Sequence, residues 1–132
     1  MGELGEMKPR KLWGYFEEIC RIPRLSKNEG RIRSYLLDFA RQHNLEAKED
    51  SVGNILIVRD ATPGKEKVKT VVLQSHLDMV GEKNASHPHN WAEDPIIPVI
   101  DGKWVSASGT TLGADDGIGI AAQMAVLTDP FL

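Results

Sequence analysis

"VVLQSHLDMV", residues 71–80, decides how the chain is read. It opens on a short apolar run rich in β-branched residues, and the polar turn "ATPGKEK", residues 61–67, lies upstream. A run of this length after turn residues predicts a buried strand, which we place in the middle of a sheet. If that strand ends near Ser75, His76 and Asp78 are two residues apart on extended backbone and share one face. Both then project from the carboxyl end of a strand, where ligands gather in open α/β sheets. A metal-bound imidazole held by a carboxylate would fit such a pair. A histidine at a strand end beside an aspartate opening a turn fits the same residues.

Working outward, Leu12, Trp13, Phe16, Ile19 and Cys20 recur at helical spacing before Pro23, which predicts a short amphipathic helix. "SKNE", residues 26–29, has the spacing of a capping box, with Ile32, Tyr35, Leu36 and Phe39 following on one helical face. A second helix is therefore expected from about residue 27 to 43. "LEAKEDSVGNILIVRD", residues 45–60, predicts a hairpin through Gly53. "IIPVIDGKWVSA", residues 96–107, predicts another through Asp101 and Gly102. "DDGIGIAAQMAVLTDP", residues 115–130, is apolar nearly all round, so its helix should be buried and stop before Pro130. The alternation of elements points to a layered α/β domain.

"TTLGADDGIGIAA", residues 110–122, sets two like charges side by side ahead of that last helix. Either aspartate serves as a helix cap, with Gly113 and Gly117 allowing the turn, but a cap needs only one carboxylate. Alternatively the glycine-rich turn brings Asp115 to the strand ends, where its two oxygens bridge two cations. Oxygen and imidazole ligands together suit zinc, manganese or cobalt.

Composition narrows the function classes. The chain has 132 residues, 41% hydrophobic and 27% charged, with a formal charge of -3. This fits one globular domain and shows no basic footprint for nucleic acid. No apolar run approaches the ~20 residues that span a bilayer. The lone Cys20 cannot form an internal disulfide, and the start "MGELGEMKPRK" lacks a secretion signal's apolar core, so a cytoplasmic protein is expected. Cys20, on an apolar helical face, reads as a small hydrophobe rather than a nucleophile. His43 reads as a favourable charge against a helix dipole. His87, His89 and Trp91, in the polar "SHPHNWAEDP", read as a loop at the rim of a cleft and not as metal ligands.

Taken together, "LWGYFEEICRIPRLSKNEGRI", "VGNILI", "VVLQSHLDMVGEKN" and "HNWAEDPIIPVIDGKWVSASGTTLGADDGIGIAA" resemble, in that order, the co-catalytic zinc peptidases. That family includes carboxypeptidase G, aminoacylase-like hydrolases and bacterial dipeptidases, and the likeness is strongest to the dipeptidase branch. The resemblance implies a three-layer αβα sandwich with a mixed sheet. Residues 1–132 would be the N-terminal part of the catalytic domain, with the rest of that domain and a lid domain absent. It implies that His76 binds one zinc ion, that Asp78 is a catalytic residue positioning His76, and that Asp115 bridges two zinc ions, with cobalt or manganese as substitutes. The Asp115–Asp116 peptide is expected to be cis, with Asp116 a geometric partner rather than a ligand. His89 matches a recurring histidine to which no role is attached.

The implied reaction is hydrolysis of dipeptides, preferentially Xaa-His, by a water held between two zinc ions. The implied partners are a dipeptide substrate and, for the intact enzyme, a second copy in a homodimer, with neither nucleic acid nor membrane. The family's general-base glutamate and remaining ligands lie downstream in its pattern, so the chain is expected to be a portion of a longer enzyme and inactive alone. A tripeptidase or N-acyl amino-acid hydrolase of the same family is the enzymatic alternative. A non-catalytic fragment with weak metal binding is the alternative of another class.

Overall fold

A computed structural model describes residues 4–132; the first three residues of the start inspected for a leader lie outside the described residues. Helix α1 (Arg10–Cys20) forms where the apolar spacing predicts it and encloses Phe16, Ile19 and Cys20. A 3-10 turn, Leu4–Glu6, lays the buried Leu4 against it. Helix α2 (Gly30–Gln42) buries Ile32, Leu36, Phe39 and Ala40, the expected stripe with Tyr35 at its edge. The first hairpin pairs β1 (Glu46–Glu49) with β2 (Ile55–Val58), Ala47 opposite Ile57. Its turn is closed by Asp50, whose Oδ1 accepts from the backbone N–H groups of Val52 and Asn54 at 3.0 and 2.9 Å. The second pairs β3 (Pro98–Asp101) with β4 (Trp104–Ala107), turning at Asp101 and Gly102 as expected. Helix α3 (Ala114–Leu127) packs on α1 and buries Gly117, Ile120, Ala121 and Met124.

The α/β class is therefore observed, with the sheet content of the described residues present as two antiparallel pairs. The central strand expected at residues 71–75 is not: these residues join no sheet, and Val71 and Val72 are 77% and 81% exposed. A strand is stabilised by a ladder to a neighbour, and no described strand lies beside this run. The segment is anchored only further on, where Met79 N–H donates to Arg24 O at 3.0 Å and Leu25 and Met79 form an isolated parallel bridge.

The capping box is also corrected. Helix α2 starts at Gly30, with Glu29 at the cap position and no side chain capping it. Glu29 Oε1 instead accepts from Lys27 N–H at 2.8 Å, and Ser26 bonds elsewhere. Ser26 has a carboxylate within reach, and a charge-assisted bond is stronger than one to a neutral N–H.

The α1–α3 contact requires close approach. A Cβ at Gly117 would lie 2.6 Å from Arg24 Nη2 and 3.0 Å from Phe16 Cε2, both enclosed. Gly117→Ala is expected to cost about 1–3 kcal/mol through overpacking. Gly14→Ala in α1, where a Cβ meets nothing within 4 Å, should be neutral or stabilising. Thermal unfolding of the two variants checks the contrast.

Candidate metal centre

The site is assembled by the loop that follows α1. Arg24 is 2% exposed, and its Nη1 donates to the carbonyls of Leu77 and Asp78 at 3.0 and 3.2 Å. Its Nη2 donates to Gly113 O. One guanidinium thus ties the segment bearing His76 and Asp78 to the turn bearing Asp115. Burial lowers the Arg24 pKa, with Cys20, Asp78 and Asp116 acting in the other direction; the intrinsic basicity of a guanidinium keeps it charged. Gly113 serves the same junction. Its φ of 72° is left-handed, and a Cβ there would lie 2.7 Å from Arg24 Nη2 and 2.8 Å from Met79 Sδ.

The two aspartates now separate. Neither has helical dihedrals, and the peptide between them is cis, as the family resemblance implies. Asp116 Oδ1 accepts from Gly119 N–H at 3.1 Å, the bond of a helix cap. Asp115 makes no such bond; its Oδ1 lies 2.8 Å from His76 Nε2. On the far side of the ring, His76 Nδ1 lies 3.1 Å from Asp78 Oδ1 and 3.0 Å from Asp78 O. Asp78 Oδ2 accepts from Ser26 Oγ at 2.5 Å. The result is a continuous line, Ser26, Asp78, His76, Asp115, on an open shelf where the Asp115 side chain is 95% exposed.

The electrostatics follow the line. His76 is raised above the ordinary imidazole value, chiefly by its hydrogen bond to Asp115 and further by Asp78. Asp78 is lowered below the ordinary carboxylate value, chiefly by the Ser26 hydroxyl. The donor types, imidazole nitrogen and carboxylate oxygen, fit zinc, and a carboxylate behind the imidazole is the usual companion of a metal-bound histidine. Among the described residues no cluster of three metal-ligating side chains forms, and the residues converging here are the imidazole of His76 and the carboxylate of Asp115.

The remaining candidates stand apart. His87 and His89 stack with ring centroids 6.1 Å apart, and His89 meets Trp91 edge-to-face at 4.4 Å. Trp91 lines a cleft of about 520 Å³ with Leu25, Lys27, Arg31 and Arg33, and no residue of the His76 line contributes to it. His43 follows the last turn of α2 with its ring 4.7 Å from that of Phe39. Burial pushes the Cys20 thiol up to about 12, which makes it a poor nucleophile. Arg24 and Ser26 are the residues of this arrangement that sequence reasoning missed. Arg24 carries no local signal, and the signal at Ser26 pointed to a cap.

No protein-family model matches the chain. The cytosol non-specific dipeptidase of Escherichia coli is 50% identical over 129 residues, 98% of this chain and 27% of the relative. The crystal structure of an aminoacylhistidine dipeptidase from Vibrio alginolyticus matches with a TM-score of 0.93 at 46% identity, over 96% of this chain and 26% of that one. A tripeptidase from Staphylococcus aureus matches with a TM-score of 0.73 at 26% identity, over 93% of this chain and 32% of that one. The fold is that of the corresponding part of the aminoacylhistidine dipeptidase. Over the residues it contains, the chain is a homologue of the dipeptidases, and it spans about a quarter of their length.

In the metal-free chain, Asp115→Asn should bring the His76 titration down, read from its ring protons by NMR. Because the folded-state value is raised, the Asp115 contact stabilises the fold below the ordinary imidazole value and is lost as pH rises through the raised one. Asp78 has the opposite sign: its contribution is present above the ordinary carboxylate value and is lost as pH falls through the lowered one.

Proposed function

We propose that this chain carries part of the active site of a cytosolic metallopeptidase that hydrolyses dipeptides, preferentially Xaa-His, with two zinc ions. In this reading residues 1–132 are the N-terminal part of a catalytic domain. The observation that carries the proposal is the convergence of His76 Nε2 and Asp115 Oδ1 at 2.8 Å, with Asp78 behind the imidazole. His76 binds metal through Nε2. Asp78, accepting at Nδ1, keeps the proton on that nitrogen and leaves the Nε2 lone pair for the metal. Asp115 is exposed enough to offer its second oxygen to a second ion. Asp116 leaves the ligand set by capping α3. Zinc, when bound, supplies Lewis-acid polarisation of a carbonyl and lowers the pKa of water.

The names and identities of the relatives support a dipeptide as substrate over a tripeptide, since the tripeptidase is the more distant match. The word cytosol in the name of the E. coli relative supports the compartment. No helix among the described residues is long and apolar enough to cross a membrane.

A chimera tests the proposal: the matched 129 residues of the E. coli dipeptidase are exchanged for those of this chain. The folded chimera should hydrolyse dipeptides, Xaa-His above others, only with divalent metal restored after chelation. Asp115→Asn should lower kcat at least about 100-fold, because a ligand shared by two ions is lost. A folded chimera that is inactive, or insensitive to Asp115→Asn, contradicts the proposal, and a preference for tripeptides or acylated amino acids moves the assignment within the family.

A further inference from the structure

Ser26 stands where the sequence pattern puts a helix cap, yet it caps nothing. We propose that Ser26 is a positioning residue of the metal centre: its hydroxyl fixes the orientation of the Asp78 carboxylate, and through it the ring of His76. The inference rests on the reading of His76 as a metal ligand.

The carboxylate of Asp78 is used at both ends. Oδ1 faces His76 Nδ1 at 3.1 Å, and Oδ2 accepts from Ser26 Oγ at 2.5 Å. The terminal torsion of an aspartate is broad, so one contact to an imidazole does not set the carboxylate plane. A second contact, at the other oxygen, does. The need is acute because residues 71–78 belong to no strand, and the Asp78 side chain is a third exposed. Without Ser26, the Asp78 carboxylate is free to turn towards water, and His76 Nδ1 is left with the Asp78 backbone carbonyl at 3.0 Å and no carboxylate behind it.

The hydroxyl is itself held in place. Lys27 has a φ of 70°, Asn28 N–H donates to Leu25 O at 2.8 Å, and Lys27 N–H donates to Glu29 Oε1 at 2.8 Å, which together close a tight turn around Ser26. The turn is registered against the site by the Arg24–Met79 backbone bond on one side and the Ser26–Asp78 bond on the other. Arg24 and Ser26 thus divide the work: the guanidinium fixes the backbone at 77–78, and the hydroxyl fixes the side chain of Asp78.

The test compares wild type, Ser26→Ala and Ser26→Thr in the whole 132-residue chain. The 15N shift of His76 Nδ1 is read through the carbon-bound ring protons in metal-free protein at one pH, and zinc affinity is measured by competition with a chromogenic chelator. Ser26 is exposed, so its truncation leaves no core cavity. Ser26→Ala should move the Nδ1 resonance, leave the backbone amide spectrum away from the site unchanged, and weaken zinc binding about tenfold, as expected for a group behind a ligand. Ser26→Thr, which keeps the hydroxyl, should restore both. An unmoved Nδ1 resonance in Ser26→Ala, or a Ser26→Thr chain that behaves like Ser26→Ala, overturns the inference. A wild-type chain with no zinc affinity but the predicted Nδ1 pattern refutes the metal reading while upholding the hold of Ser26 on Asp78.

Discussion

The buried guanidinium of Arg24 is the contact on which the rest of the site depends. Its three donated bonds reach the carbonyls of Leu77, Asp78 and Gly113, which lie on two segments with no strand ladder between them. The buried cation has these carbonyls as its hydrogen-bond acceptors, and a buried charge left without partners is costly, so Arg24 holds the two segments together. The guanidinium fork also explains two glycines at once. Gly113 and Gly117 lack the Cβ atoms that would occupy the space taken by its Nη2. A lysine offers one compact ammonium and cannot reach these acceptors with the same planar geometry.

From that junction the chemistry follows by division of labour. The turn at Gly113 opens α3 on two residues without helical dihedrals, which leaves Asp116 bonded to the N–H of Gly119, in the first turn of the regular helix, and Asp115 turned to His76. The loop at Pro23–Ser26 brings a hydroxyl to Asp78, and Asp78 brings its carboxylate to His76. Two adjacent like charges are compatible because one is satisfied by the backbone of its own helix and the other faces an imidazole whose basicity it raises.

Much of this was legible in the sequence where local rules suffice. Helical periodicity gave α1 and α2, an apolar run closed by Pro130 gave α3, and turn residues gave both hairpins, since side-chain spacing and backbone preference act over a few residues. His76, Asp78 and Asp115 were legible as a group through the family resemblance, and they come together in space. The run at 71–75 misled because its composition states a preference for strand and says nothing about a partner. Ser26 misled because a capping serine and a serine donating to a distant carboxylate have the same local pattern. Arg24 left no trace: its acceptors lie 53, 54 and 89 residues away, and an isolated arginine after a helix reads as solvated surface.

The most direct measurement is anomalous diffraction at the zinc edge from crystals of this chain grown with zinc. Zinc is predicted beside both His76 Nε2 and Asp115 Oδ1, with Asp78 still behind the imidazole. Zinc at His87 or His89 instead, or no zinc at the His76–Asp115 pair at a concentration that saturates the chain in solution, would contradict the account.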